Sequence, residues 1–280
     1  MVQIREAHLS NVFILSLLEQ RFKPTKIQKS IAKFVKGFNR MKSPIKISFK
    51  HDFVNNAFRI RNPYLLTDHK VARLAKENML RGHMTSVEQA INIYHLLHHC
   101  IIFGVDGDVV ELGCHEGITS LLLRMTMMDA GTDKTLYDYD SFEGLPQPKA
   151  VDGKRFKKGQ LATSQESLEA NFKKHNLAAP VICKGWFADT LPTQLPEKIC
   201  FAHLDSDLYE SILESLKYVY PRMAPGGVIV IDDYFDPKIL NVNPILPGVK
   251  KACDEFFADK PEKVQVLLAG YESHGYVRKK

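Results

Sequence analysis

From Val109 onward, short apolar runs alternate with segments whose apolar residues recur at helical spacing. The runs Val109–Leu112, Thr135–Tyr139, Val181–Lys184, Ile199–Leu204, Val228–Ile231, Val264–Leu268 and Gly275–Arg278 are rich in branched and aromatic residues and predict strands. Helical patterns fall between them at residues 117–129, 164–176, 207–222 and 247–259. Strands that alternate with helices predict an α/β fold, a mostly parallel seven-stranded sheet with helices on both faces. No helix separates the last two runs, so they are expected to form an antiparallel hairpin at the sheet edge. Upstream, Thr67–Leu80 reads as a helix with Val71, Leu74 and Met79 on one side, and Thr85-x-x-Glu88 as a capping box opening a helix through Ile101. Asn11–Gln20 reads as a further short helix.

Charge divides the chain. Residues 1–62 hold 13 Lys and Arg against three acids, a net +10, whereas residues 63–280 hold 25 against 29, a net −4. The expected organisation is a basic N-terminal extension, 1–62, and one domain, 63–280, with a helical lead-in at 65–103. The plainest use of a basic arm is contact with a neighbouring subunit in a homo-oligomer, and no nucleic acid partner is expected. No apolar stretch approaches the ~20 residues of a membrane span. The five cysteines are scattered, without a C-x-x-C, which fits a reduced, cytoplasmic setting.

In an open α/β sheet the ligand lies beyond the carboxyl ends of the strands, and the polar motifs fall there. Val109-Val-Glu-Leu-Gly-Cys-His-Glu-Gly117 runs from a strand into a loop and a helix, with Gly113 and Gly117 allowing close approach of a ligand and Glu111 at the strand end. Its G-x-x-x-G spacing is not the dinucleotide fingerprint, which disfavours a dehydrogenase. At the end of the second strand, Asp138 and Asp140 compete to accept hydrogen bonds from the ribose of a nucleoside. Trp186, the only tryptophan, follows the third strand and is either core packing or a flat face beside an adenine.

Two aspartate pairs follow the fourth and fifth strands, Asp205/Asp207 and Asp232/Asp233. Aspartate is a poor strand former and is rarely buried unpaired. Adjacent strands lie ~4.8 Å apart, so four carboxylates at two strand ends point to a shared hard divalent cation. Asp207 also precedes an amphipathic helix and is a candidate N-cap. His203 reads as a core histidine, and His115 as a rival base.

The motifs Glu-x-Gly, Asp-Ser-Phe-Glu-Gly-Leu-Pro, Leu-Asp-x-Asp-Leu-Tyr-Glu-Ser, Pro-Gly-Gly-Val-Ile-x-Ile-Asp-Asp-Tyr and Pro-Gly-Val-Lys-Lys-Ala together resemble the macrocin O-methyltransferase family over about residues 84–280. The resemblance implies a class I, Rossmann-like methyltransferase fold. It also implies S-adenosylmethionine and Mg²⁺ as cofactors, and a hydroxylated acceptor such as a natural-product glycoside. Position by position it makes Asp205, Asp232 and Asp233 metal ligands, Asp207 the general base, and Glu111, Gly113, Asp140 and Ser141 cofactor contacts. The glycine loop departs from the family in carrying Cys114-His115-Glu116. A catechol or phenol O-methyltransferase, a cephalosporin-hydroxylase-like enzyme and a silent cofactor-binding module are the alternatives. The all-aspartate marker set argues against an iron hydroxylase.

Overall fold

The computed structural model describes residues 46–49, 58–61, 85–240, 244–269 and 272–280. The chain divides into two compact units, Met1–Asp68 and His69–Lys280. In the first, β1 (Lys46–Phe49) pairs antiparallel with β2 (Phe58–Arg61), Lys46 opposite Arg61. This strand pair lies within the basic extension, where no strand was expected, and each strand alternates apolar with polar residues, the period of a strand. The expected helices at 11–20 and 67–80 lie outside the described residues.

Among the described residues the first helix of the second unit is α1 (Val87–Ile102). Its capping box is Ser86 with Gln89, one residue beyond the expected Thr85 and Glu88: Ser86 Oγ accepts from Gln89 N (3.1 Å) and Gln89 Oε1 from Ser86 N (2.7 Å). Then follow β3 (Asp108–Leu112), α2 (Ile118–Asp129), β4 (Leu136–Asp140), α3 (Gln165–Lys174) and β5 (Val181–Lys184). Next come α4 (Phe187–Gln194), β6 (Ile199–Leu204), α5 (Tyr209–Val219), β7 (Met223–Ile231), the single turn α6 (Pro237–Leu240), α7 (Pro247–Phe256), β8 (Gln265–Ala269) and β9 (Glu272–Arg278).

The seven strands are ordered β5-β4-β3-β6-β7-β9-β8. The first five are mutually parallel, and β9 runs antiparallel to both β7 and β8, the expected edge hairpin. Both faces are covered, as a parallel sheet requires. Along β7, Val228 and Val230 enter the apolar layer beneath α1, α2 and α3, while Ile229 and Ile231 enter the layer with α4, α5 and α7. The chain leaves β3 toward β4 and β5, then returns to β6 on the other side of β3, which places the topological switch point between β3 and β6.

Candidate active site

The ends of β3, β6 and β7 are joined by backbone hydrogen bonds that run past the strands proper. Asp205 N donates to Leu112 O and Asp232 N to Leu204 O, both at 2.9 Å. Gly113, at φ +89°, sits so close to the next strand that a Cβ would lie 1.8 Å from Asp205 O. Only glycine lets the loop after β3 press against the backbone of an acid on β6. Gly117 opens α2 at φ +76°, and a Cβ there would meet Leu168 of α3 at 2.7 Å, so its missing side chain serves helix packing.

The remaining cofactor candidates surround this loop. Asp140, half-buried at the end of β4, accepts from His115 N on Oδ2 (2.9 Å) and from Phe142 N on Oδ1 (2.7 Å), clasping the glycine loop. Its rival Asp138 is fully buried and paired in register with Glu111, so Asp140 holds the strand-end position. Ser141 Oγ accepts from Glu143 N (3.1 Å) within its own turn. Trp186 is half-buried where β5 meets α4, and the adjoining Gly185 N donates to Asp140 O (2.9 Å). Glu111 is engaged on both oxygens, by the Ser120 hydroxyl and by His203 Nδ1 at 2.9 Å. His203 is thus the expected buried histidine, with a carboxylate partner.

Among the aspartates, Asp205, Asp207 and Asp233 bring carboxylate oxygens within 4.8 Å of one another. Asp207 and Asp233 both adopt positive φ, 58° and 52°, a conformation uncommon outside glycine. Asp232 is buried and differently held. Gln89 Nε2 donates to its Oδ1 (2.9 Å), His274 Nε2 lies 3.0 Å from the same atom, and Asp233 N donates to it at 3.1 Å. All three contacts fall on Oδ1. The N-cap reading of Asp207 does not hold: the residue before α5 is Leu208, with no side-chain cap, and Asp152 Oδ1 accepts from Tyr209 N at 2.7 Å instead. Gln89, Asp152 and His274 are the functional candidates that motif reading missed.

A profile of the Macrocin-O-methyltransferase (TylF) family matches residues 50–259. The chain belongs to this family. A tetracenomycin rhamnosyl 4'-O-methyltransferase of Streptomyces olivaceus is 34% identical over 161 residues, 54% of this chain and 62% of that protein. Demethyldecarbamoylnovobiocin O-methyltransferase of Streptomyces niveus is 31% identical over 62% of this chain and 67% of its own length. The match thus spans 62% and 67% of these relatives' own lengths, less than two thirds of the first. The O-methyltransferase NovP superposes with a TM-score of 0.58 at 27% identity, covering 70% of this chain and 81% of that one. The fold is the class I methyltransferase fold.

Charge in the macrocin-family site is uneven. Burial, then the neighbouring Asp232, drives the Asp205 and Asp233 carboxyls well above the usual carboxylate range. Burial and Asp232 likewise push Asp207 up to about 7, against the pull of Arg155. Asp232 moves the other way: burial opposes its charge, but His274, His203 and the Asp233 N–H outweigh burial and hold it low. Three acids, Asp205, Asp207 and Asp233, that resist ionising and bring only hard oxygen donors within 4.8 Å of one another, beside a charged Asp232, fit a divalent cation.

Proposed function

We propose that this chain transfers the methyl group of S-adenosylmethionine to a hydroxyl of a sugar or natural-product glycoside, in a reaction that requires Mg²⁺. The observation that carries the reading is the close approach of Gly113 to the Asp205 backbone, which sets the glycine loop directly against the acid cluster. A methyl donor cradled by the loop would then face an acceptor held by the acids. Relatives named as sugar and natural-product O-methyltransferases support the acceptor class.

In this reading Glu111, Gly113, Gly117, Asp140, Ser141 and Trp186 line the donor. Asp140, at the strand end, is the residue we assign to the ribose hydroxyls. Asp205, Asp233 and Asp232 would hold the cation, with Gln89 and His274 steadying Asp232. When bound, the cation stabilises the alkoxide form of the acceptor. Asp207 takes the hydroxyl proton. Its support is position: it lies within 4.8 Å of Asp205 and Asp233, and Asp152 relieves it of capping α5. Transfer itself is a displacement at the sulfonium methyl, governed by alignment. Ile239 and Ile245, 62% and 61% exposed on the segment after Asp233, offer apolar surface to an aglycone. The five cysteines, all free and buried, support the cytoplasmic setting, and the homo-oligomer remains part of the proposal. Among the described residues no helix is long and apolar enough to cross a membrane.

Asp207→Asn tests the assignment. The variant should bind S-adenosylhomocysteine and Mn²⁺ like the wild type, by calorimetry, and lose methyl transfer by roughly a hundredfold or more. Loss of Mn²⁺ binding would make Asp207 a ligand, and retained turnover would remove it from the mechanism.

A further inference from the structure

Between β4 and α3 the chain is bonded at two places, one beside the acids and one just beyond the Asp140–Ser141 turn. At the acid side, Asp152 Oδ1 accepts from Tyr209 N and its Oδ2 from Lys149 N, each at 2.7 Å. Lys149 pairs with Glu210, and a Cβ on Gly248 at the start of α7 would lie 2.3 Å from Asp152 Oδ1. At the donor side, Gly159 N donates to Leu145 O and Leu145 N to Gln160 O, both at 2.8 Å, just beyond the Asp140–Ser141 turn. The span between the anchors reads Gly153-Lys-Arg-Phe-Lys-Lys158. Phe156 is half-buried and packs against the apolar layer of α5 and α7, whereas Lys154, Arg155, Lys157 and Lys158 are exposed.

This concentration of positive charge is unusual in a domain whose net charge is negative over residues 63–280. Among the described residues none of the four cations makes an ion pair. The Arg155 guanidinium sits 5.6 Å from the Phe156 ring, which packs on the layer of α5 and α7, and its charge eases the ionisation of Asp207 and Asp233. A bridge bonded at one end to the helix that follows Asp207 and at the other to the chain just after the Asp140–Ser141 turn, and carrying four exposed cations, is placed to grip something negative on the acceptor.

We propose that Arg155, assisted by Lys154, Lys157 and Lys158, clamps an oxyanion carried by the acceptor, a phosphoryl or carboxylate group, so that the substrate is an anionic glycoside. Arg155 suits either group because its planar fork matches both. The proposal rests on the methyltransferase reading above and adds the charge of the substrate to it.

The test uses the full-length chain with S-adenosylmethionine and Mg²⁺ on three matched acceptors: methyl glucoside, methyl glucuronide and glucose 1-phosphate. In parallel, calorimetry measures binding of the same compounds in the presence of S-adenosylhomocysteine. An anionic acceptor should be preferred by roughly tenfold or more, the scale of one charge-assisted hydrogen bond, and its binding should weaken with salt. Whichever of the two is preferred identifies the source of the oxyanion. Arg155→Ala should collapse that preference, while Arg155→Lys should restore part of it. Lys157→Ala/Lys158→Ala should narrow it. Equal use of all three acceptors, or an equal loss on all three in Arg155→Ala, would overturn the proposal and leave Arg155 as a counter-charge to the aspartates. If no acceptor is methylated, the functional reading fails, and the calorimetry still decides the clamp: no difference between the anionic compounds and methyl glucoside overturns it.

Discussion

The junction between Gly113 and Asp205 gives a sharp prediction, because its cost follows from two distances. In Gly113→Ala the new Cβ would start 1.8 Å from Asp205 O, and real Cβ contacts essentially never fall below 3.0 Å, so the backbones must part by at least 1.2 Å. A movement of that size breaks the 2.9 Å bond from Asp205 N to Leu112 O. The positive φ adds ~1–2 kcal/mol for any residue with a Cβ, and the broken, buried bond about 1–3 kcal/mol. The sum is about 2–5 kcal/mol, or a fall in Tm of roughly 5–15 °C for a domain of this size. Gly131→Ala is the internal control: it also has positive φ, +66°, but nothing lies within 4 Å of its Cβ position. It should cost only the backbone share, about 2–6 °C. The assay is thermal unfolding of both variants, with calorimetric binding of S-adenosylhomocysteine and Mn²⁺. Gly113→Ala should weaken both ligands, since the loop and the Asp205 carboxylate shift together, whereas Gly131→Ala should weaken neither. Indistinguishable Tm values and intact binding in the two variants would refute the reasoning.

Gln89→Leu removes a donor to Asp232 Oδ1 and half of the α1 capping box. It should weaken Mn²⁺ binding roughly tenfold, the usual weight of an outer-shell partner, and unchanged affinity would show that Asp232 needs no such support. A separate test probes stability far from the site. Burial works against the charge of Glu262, but the Tyr220 hydroxyl at 2.6 Å, the Lys280 N–H at 2.9 Å and Lys279 bring its carboxyl down to about 2. The native pKa lies below the unfolded value of about 4.3, so the stabilisation is full above that pH and is lost as pH falls from about 4.3 through 2. Glu262→Gln should therefore lower Tm at pH 7 by an amount that shrinks through that window, and a pH-independent difference would contradict it.

The strands of the seven-stranded sheet were legible as apolar runs, and β3, β5 and β6 fall within a residue of their expected bounds, whereas β7 and β9 start earlier than expected and the four-residue strands β1 and β2 were not read. The α1 cap slipped by one because Thr85-x-x-Glu88 and Ser86-x-x-Gln89 satisfy the same pattern, and only the observed bonds distinguish them. Helix α4 went unread because Pro192, a helix breaker in the interior of longer helices, lies inside it. The aspartate pairs announced an acid centre by sitting after strands, but the residues that arrange it did not. Asp152 caps a helix 57 positions away, and His274 meets Asp232 only because β9 is laid beside β7. Neither pairing leaves a trace in local spacing.

The central claim is that donor loop and acid cluster work as one cation-dependent methyl-transfer centre. The most direct measurement incubates the full-length chain with S-adenosylmethionine and a panel of glycosides and catechols, in Mg²⁺ or in EDTA, and reads products by mass spectrometry. The account predicts that a glycoside exchanges one hydroxyl hydrogen for a methyl group in Mg²⁺, that EDTA stops this, and that added Mg²⁺ restores it. Equal transfer in EDTA, or methylation of catechols alone, would contradict it.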